Sequence, residues 1–486
     1  MKKISILIVV LAVLAVSCSP EFDSPGENNA PPSKKTRKFW AQDASTEKFY
    51  QLDAQWLAYN SRCEVWVETK NGIPSVLEEK ARQIADEFRN VYTCLTNAFG
   101  STYSINGIIM NTMQFADWLG DGNKRLIILL LDIRDYNYHN GSDSYVAGYF
   151  WNGDLYTNGT PIAGGGYLTN SNECDMIYMD ISPSFNRPME EFYATLAHEM
   201  QHLMNYATSQ LYRHYGWRNN SMDLWINEGL SSAAEYVYSN KVSEERVSWY
   251  NGDETGYIAK GDNFYLWNNY TELNKNTILN DYATVNLFFQ WLRVQYGEGI
   301  YKKIFSAHYS DYNAVTSSIG SITWSELFKN WHAANYIQHP DNVYGYKSDP
   351  LLKTVKAKYL QSATATHDLY PGEAVYSYSK DGRQLPQASG TVVYFGMNAN
   401  GTAVNVPAGG ALLSFNSDTV KSGDKKNCTV TGESAPKSMA AFSAASVSGN
   451  GASLYRIDAG DMIGREKFEN DLSGALPPGK IGIISD

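Results

Sequence analysis

The sequence predicts an α+β fold: a twisted sheet with helices and a helical subdomain, followed by an all-β C-terminal region. Three observations carry this expectation. Before residue 200, short strand-like runs are interspersed with one long amphipathic segment. After Glu235 the chain turns helical. From about residue 365, Gly, Ser, Thr and Ala dominate around short alternating strands.

The elements follow in order. Cys63 to Thr69 alternates as a half-buried strand does. Residues 74–99 place Val76, Leu77, Ala81, Ile84, Phe88, Val91 and Leu95 at helical spacing. Leu126 to Asp132 is a continuous apolar run, the pattern of a buried strand. Tyr145 to Trp151 and Met176 to Ile181 read as two more strands. Either one of them is an exposed edge able to pair with an extended peptide, or both are internal to the sheet. Phe192, Leu196, Leu203 and Met204 recur at helical spacing, and no Pro or Gly falls between Pro188 and Gly216. That segment reads as a half-buried amphipathic helix. Tyr282 to Tyr296 carries Val285, Phe288, Phe289 and Leu292 on one stripe, with Tyr282 opening the helix. Thr323 to Glu326 is a capping box for a helix to about Ile337. Ala374 to Tyr378, Thr391 to Phe395 and Ala411 to Phe415 read as strands of a β-sandwich-like accessory domain over 365–486.

The chemistry concentrates in Ala197-His198-Glu199-Met200-Gln201-His202. Positions i and i+4 share one helix face, so His198 and His202 can offer two imidazole nitrogens to one metal ion. Glu199 follows the first of them and can reach a water on that metal as a general base. A catalytic zinc commonly takes three protein ligands, two His and one Glu being one such set. Downstream stands Trp225-Ile226-Asn227-Glu228-Gly229-Leu230-Ser231, with Glu235 seven residues beyond Glu228. Glu228 is the expected third ligand. Glu235 faces the same way on a helix and is expected to orient a ligand histidine through its second ring nitrogen.

These motifs resemble the gluzincin metallopeptidases, the group that includes thermolysin and aminopeptidase N. The phrase from Trp225 to Leu230 is similar to the aminopeptidase form, in which the Glu of Asn-Glu-Gly is the third ligand. Over roughly residues 40–340 the chain is most like the hyicolysin-like family of secreted bacterial metallopeptidases. The stretches Asp121 to Asp132, Val146 to Trp151 and Thr195 to Glu199 carry that likeness. The resemblance implies a zincin-type catalytic domain over 37–350, Zn2+ as cofactor, and protein or peptide substrates. It also implies an oxyanion donor from a tyrosine in the helix after the ligands, here Tyr282, although Thr284-Val285 stands where aminopeptidases have Lys-Gly. His214 and Tyr215 are the alternatives. Two departures are informative. The gap from His202 to Glu228 is longer than in thermolysin or aminopeptidase N. The Gly-x-Met-Glu-Asn segment that anchors a free amino terminus is missing, which favours an endopeptidase. The alternatives are a surface adhesin or binding protein on a peptidase scaffold, and a metal-dependent hydrolase of cell-wall peptides.

The amino terminus bears on location. Met1-Lys2-Lys3, the apolar run Ile4 to Val16 and Ser17-Cys18 have the three regions of a signal peptide over 1–17. The apolar run is shorter than the ~20 residues a comfortable membrane span needs. Ala15-Val16-Ser17-Cys18 resembles a bacterial lipobox, which implies cleavage before Cys18 and lipid on its thiol. Residues 18–36, with four prolines among polar side chains, read as a tether from the membrane. The expected location is the bacterial cell envelope, lipid-anchored and extracytoplasmic, or secreted. Cys63, Cys94, Cys174 and Cys428 allow three pairings in such an oxidising compartment, and free buried thiols are the other reading. A formal net charge of -11 argues against a nucleic-acid partner. Asp117 to Asn123 has the oxygen-rich texture of a calcium loop, but no carboxylate stands at the twelfth position of the loop, so an Asx turn is the favoured reading.

Overall fold

In the computed structural model the described residues are 35–70, 72–100, 125–141, 144–161, 165–214, 218, 220–253, 256–261, 264–267, 278–360, 366–420, 426–430 and 455–458. Cys18, the expected signal peptide, nearly all of the tether, the 117–123 turn and Tyr215 lie outside them. No described helix is long and apolar enough to cross a membrane.

A mixed sheet forms the first layer. Its strands are β1 (Thr36–Asp43), β2 (Lys48–Tyr59), β3 (Cys63–Glu68), β4 (Leu126–Leu131), β5 (Ser144–Tyr149), β6 (Met176–Asp180) and a late strand, Tyr455–Asp458. Their order is β1-β2-β3-β4-β6-β5, with the late strand outermost. β3, β4 and β6 run parallel, and β5 runs antiparallel to β6. Every residue of β4 and β6 is buried, as expected where helices cover a parallel centre. Helix α1 (Ser75–Phe99) packs on β2 and β3. A short helix, α2 (Tyr136–Asn140), precedes β5. The hairpin of β1 and β2, registered from Thr36 opposite Gln55 to Asp43 opposite Lys48, was not among the sequence expectations.

Neither of the two strands weighed as a peptide-binding edge is free. β6 is internal, and the outer side of β5 is paired in parallel with 455–458, Tyr455 opposite Ser144. The second layer begins with α3 (Met189–His214), which packs against β5 and β6. A Cβ on Gly148 of β5 would come 3.1 Å from Thr195 Cγ2, so the strand lies tight against this helix one turn before His198. Glu190 and Glu191 stand in the first turn of α3, where the helix dipole favours negative charge. The expectation of a half-buried helix is corrected: residues 194–210 are all buried. The apolar face meets the sheet, while the polar face meets polar groups of a neighbouring helix instead of water.

That neighbour is α4 (Leu224–Ser239). Behind it pack α5 (Glu244–Gly252), α6 (Ile278–Tyr296), α7 (Gly299–Phe305), α8 (Asn313–Ile319) and α9 (Trp324–Ile337). Thr323 caps α9 as expected, its hydroxyl accepting from the Glu326 amide at 3.2 Å. α6 starts at Ile278, so Tyr282 lies one turn inside the helix and does not open it. The buried apolar pair Ile278 and Leu279 extends the helix backwards. Trp225, Phe264, Phe288, Trp324, Phe328 and Trp331 form an aromatic core here, with ring centroids such as Trp225–Trp324 5.7 Å apart.

The C-terminal strands are short. β7 (Thr366–Leu369), β8 (Ala374–Ser379), β9 (Arg383–Gln384), β10 (Val392–Asn398), β11 (Gly401–Ala403), β12 (Asn405–Val406), β13 (Gly410–Asn416) and β14 (Lys426–Thr429) make a four-stranded sheet, β11-β10-β13-β8, and two pairs, β12-β9 and β14-β7. Leu369, Val375, Val392, Leu412 and Cys428 fill a small core between them. The other face of the larger sheet packs on α9. Phe415 stacks on Phe328 at 5.7 Å, and Tyr376 donates to the His332 carbonyl at 2.9 Å. Burial holds the His332 imidazole down at about 3, so it is neutral and structural. These strands therefore share a core with the helices, and 455–458 returns to the first sheet. Cys63, Cys174 and Cys428 are free and buried, so no bridge joins any two of them. Burial pushes the Cys428 thiol up to about 12, which leaves it unreactive at neutral pH.

Candidate metal centre

α3 and α4 cross with the residues singled out from sequence at their contact. His198, Glu199, His202 and Glu228 are each 0 % exposed. His198 Nε2 lies 3.3 Å and His202 Nε2 3.6 Å from Glu228 Oε2. The two rings stand 4.7 Å apart at 75°. One ligand atom from each of His198, His202 and Glu228 falls within 4.8 Å of the others. A tetrahedral zinc with bonds of about 2.0–2.1 Å separates its ligand atoms by about 3.3–3.4 Å. Two imidazoles and a carboxylate converging at this spacing fit such an ion. The cost of burying a carboxylate also argues for a cation there, since buried charges are paired or bind metals.

Local sequence explains why Glu228 is delivered here. Trp225, one turn earlier, is fully buried in the aromatic core and anchors the start of α4. Asn227 accepts a hydrogen bond from the Asn205 side chain, which ties the two helices together beside the site. A Cβ on Gly229 would lie 2.1 Å from Phe289 Cε2. The Gly of Asn-Glu-Gly thus lets α6 press directly on α4 behind Glu228.

The structure brings together most of the expected residues. Glu235 lies on the far side of His198 from Glu228, its Oε1 2.9 Å from His198 Nδ1. Tyr282 is fully buried, its ring centroid 6.5 Å from that of His198. The Trp267 ring meets it edge-on at 5.2 Å, and the Arg246 guanidinium sits over its face at 4.7 Å. His214 ends α3, three turns beyond His202. Sequence reasoning missed Ser231 and Gln201. Ser231 Oγ is 2.9 Å from His202 Nδ1 and 2.6 Å from Gln201 Oε1. Ser231 stands three residues from Glu228 on the same helix face, but its contacts run to α3 and depend on how the two helices cross.

No protein-family model matches the chain. It is similar to a neutral metalloprotease, ShpI, of Staphylococcus hyicus, with 27% identity over 316 residues. The match covers 62% of this chain and 63% of that relative, less than two thirds of its length. The likeness and the buried His-His-Glu group together support a metallopeptidase relationship.

Proposed function

We propose that the chain is a zinc-dependent endopeptidase with a gluzincin-like catalytic unit of the zincin type. The observation that carries this reading is the buried convergence of His198, His202 and Glu228, with Glu199 next to the first histidine. The similarity to ShpI supports it. When bound, zinc lowers the pKa of a water molecule to about 7 and polarises a carbonyl. Glu199 takes the proton from the attacking water and passes it to the leaving amine. Glu235 accepts from His198 Nδ1 and keeps Nε2 turned to the metal. Tyr282 is the proposed donor to the developing oxyanion, a role motivated by its place beside His198.

The substrates proposed are extracytoplasmic proteins or peptides, reached from a membrane anchor at Cys18. The C-terminal strands serve as an accessory region to the catalytic unit. An adhesin on a peptidase scaffold is not favoured, because the ligand set is whole. The test is cleavage of casein and of a peptide with acetylated and amidated ends, each with and without chelator. Internal cuts that vanish with chelator and return with zinc are expected. Trimming only from free amino termini would refute the endopeptidase assignment, and no zinc-dependent cleavage at all would refute the peptidase.

A further inference from the structure

α4 turns Glu228, Ser231 and Glu235 toward α3. Glu228 belongs to the metal group, and Glu235 meets the first histidine. Ser231 meets the second. Ser231, Gln201 and His202 are all 0 % exposed, so the two contacts at 2.9 Å and 2.6 Å are interior ones.

The chemistry sets the direction of both bonds. An imidazole that gives its Nε2 lone pair to a metal carries its proton on Nδ1. His202 Nδ1–H therefore donates to Ser231 Oγ. The hydroxyl has one hydrogen, and the carbonyl oxygen Gln201 Oε1 can only accept. The result is a relay: Nδ1–H to Oγ, then Oγ–H to Oε1. Reversing it would place the ring proton on Nε2, where no metal can bind.

We propose that Ser231 and Gln201 are positioning residues that hold His202 as its Nδ1–H tautomer, with Nε2 presented to the metal. This rests on the reading of His198, His202 and Glu228 as metal ligands. The two histidines are then held differently: His198 by a carboxylate on α4, His202 by a neutral hydroxyl whose own orientation comes from the residue preceding His202 on α3. Gln201, inside the HExxH motif, thereby has a task of its own.

The test is zinc affinity by competition with a chelating dye, using the full chain and its Ser231→Ala, Gln201→Met, double and His202→Ala variants. Ser231→Ala removes one oxygen from a small side chain, so the fold should persist, and the melting temperature of metal-free protein checks this. Loss of such an outer partner is expected to weaken zinc binding about 10–100-fold. Because the relay acts as a unit, the double variant should lose no more than Ser231→Ala alone. The 15N shifts of His202 should report the Nδ1–H tautomer in zinc-loaded wild type. Wild-type zinc affinity in Ser231→Ala, alongside a large loss in His202→Ala, would overturn the relay alone. Wild-type affinity in His202→Ala would overturn the metal-site reading beneath it.

Discussion

Glu199→Gln is expected to bind zinc like the wild type while turnover falls at least about a hundredfold, the scale of losing acid–base catalysis. The substitution is nearly isosteric, and Glu199 is fully buried on the helix that also bears both histidines. It keeps the shape of the side chain and removes its ability to take a proton. Zinc content and melting temperature should therefore stay put while kcat collapses. Turnover within a few fold of wild type would show that another group takes the proton. Loss of zinc along with activity would show that Glu199 helps hold the metal.

Glu228→Ala is expected to lose both zinc and activity. Its Oε2 is the point on which both histidine Nε2 atoms converge, at 3.3 and 3.6 Å. Without it, the two imidazoles lose the carboxylate that completes the three-membered group. Glu235→Ala should behave differently. Glu235 reaches the outer nitrogen of His198 at 2.9 Å, so its loss should weaken binding about 10–100-fold and leave activity recoverable at excess zinc. Metal analysis after gel filtration, paired with casein assays across a zinc series, separates the two variants. The reverse pattern, with Glu235→Ala dead at any zinc concentration and Glu228→Ala rescued, would exchange their roles.

What was legible in the sequence was what depends on spacing within one element. The His198 and His202 pair, and the shared face of Glu228 and Glu235, follow from helical periodicity, and the structure sets these residues side by side. The strands β3, β4, β5 and β6 and helix α1 were readable because their apolar patterns are local. What depends on two elements meeting was not. Ser231 is an ordinary helical serine until α4 crosses α3 and sets it against His202 and Gln201. Periodicity found the apolar face of α3 but took its polar face for a solvent face, since Thr195, Gln201, Asn205 and Thr208 look alike in sequence whether they meet water or another polar surface. The pairing of 455–458 with β5 joins residues some three hundred positions apart, and no local pattern encodes it. The β1–β2 hairpin is a different case: Leu52, Ala54 and Trp56 do alternate inward, so that signal was present and unused.

The most direct test is a zinc titration of metal-stripped full-length protein, read as the initial rate of casein hydrolysis. If His198, His202 and Glu228 form one catalytic site, the stripped protein is inactive and the rate rises linearly to a plateau at one equivalent of zinc. Full activity before any zinc is added, or a rate that stays at background beyond one equivalent, would contradict it.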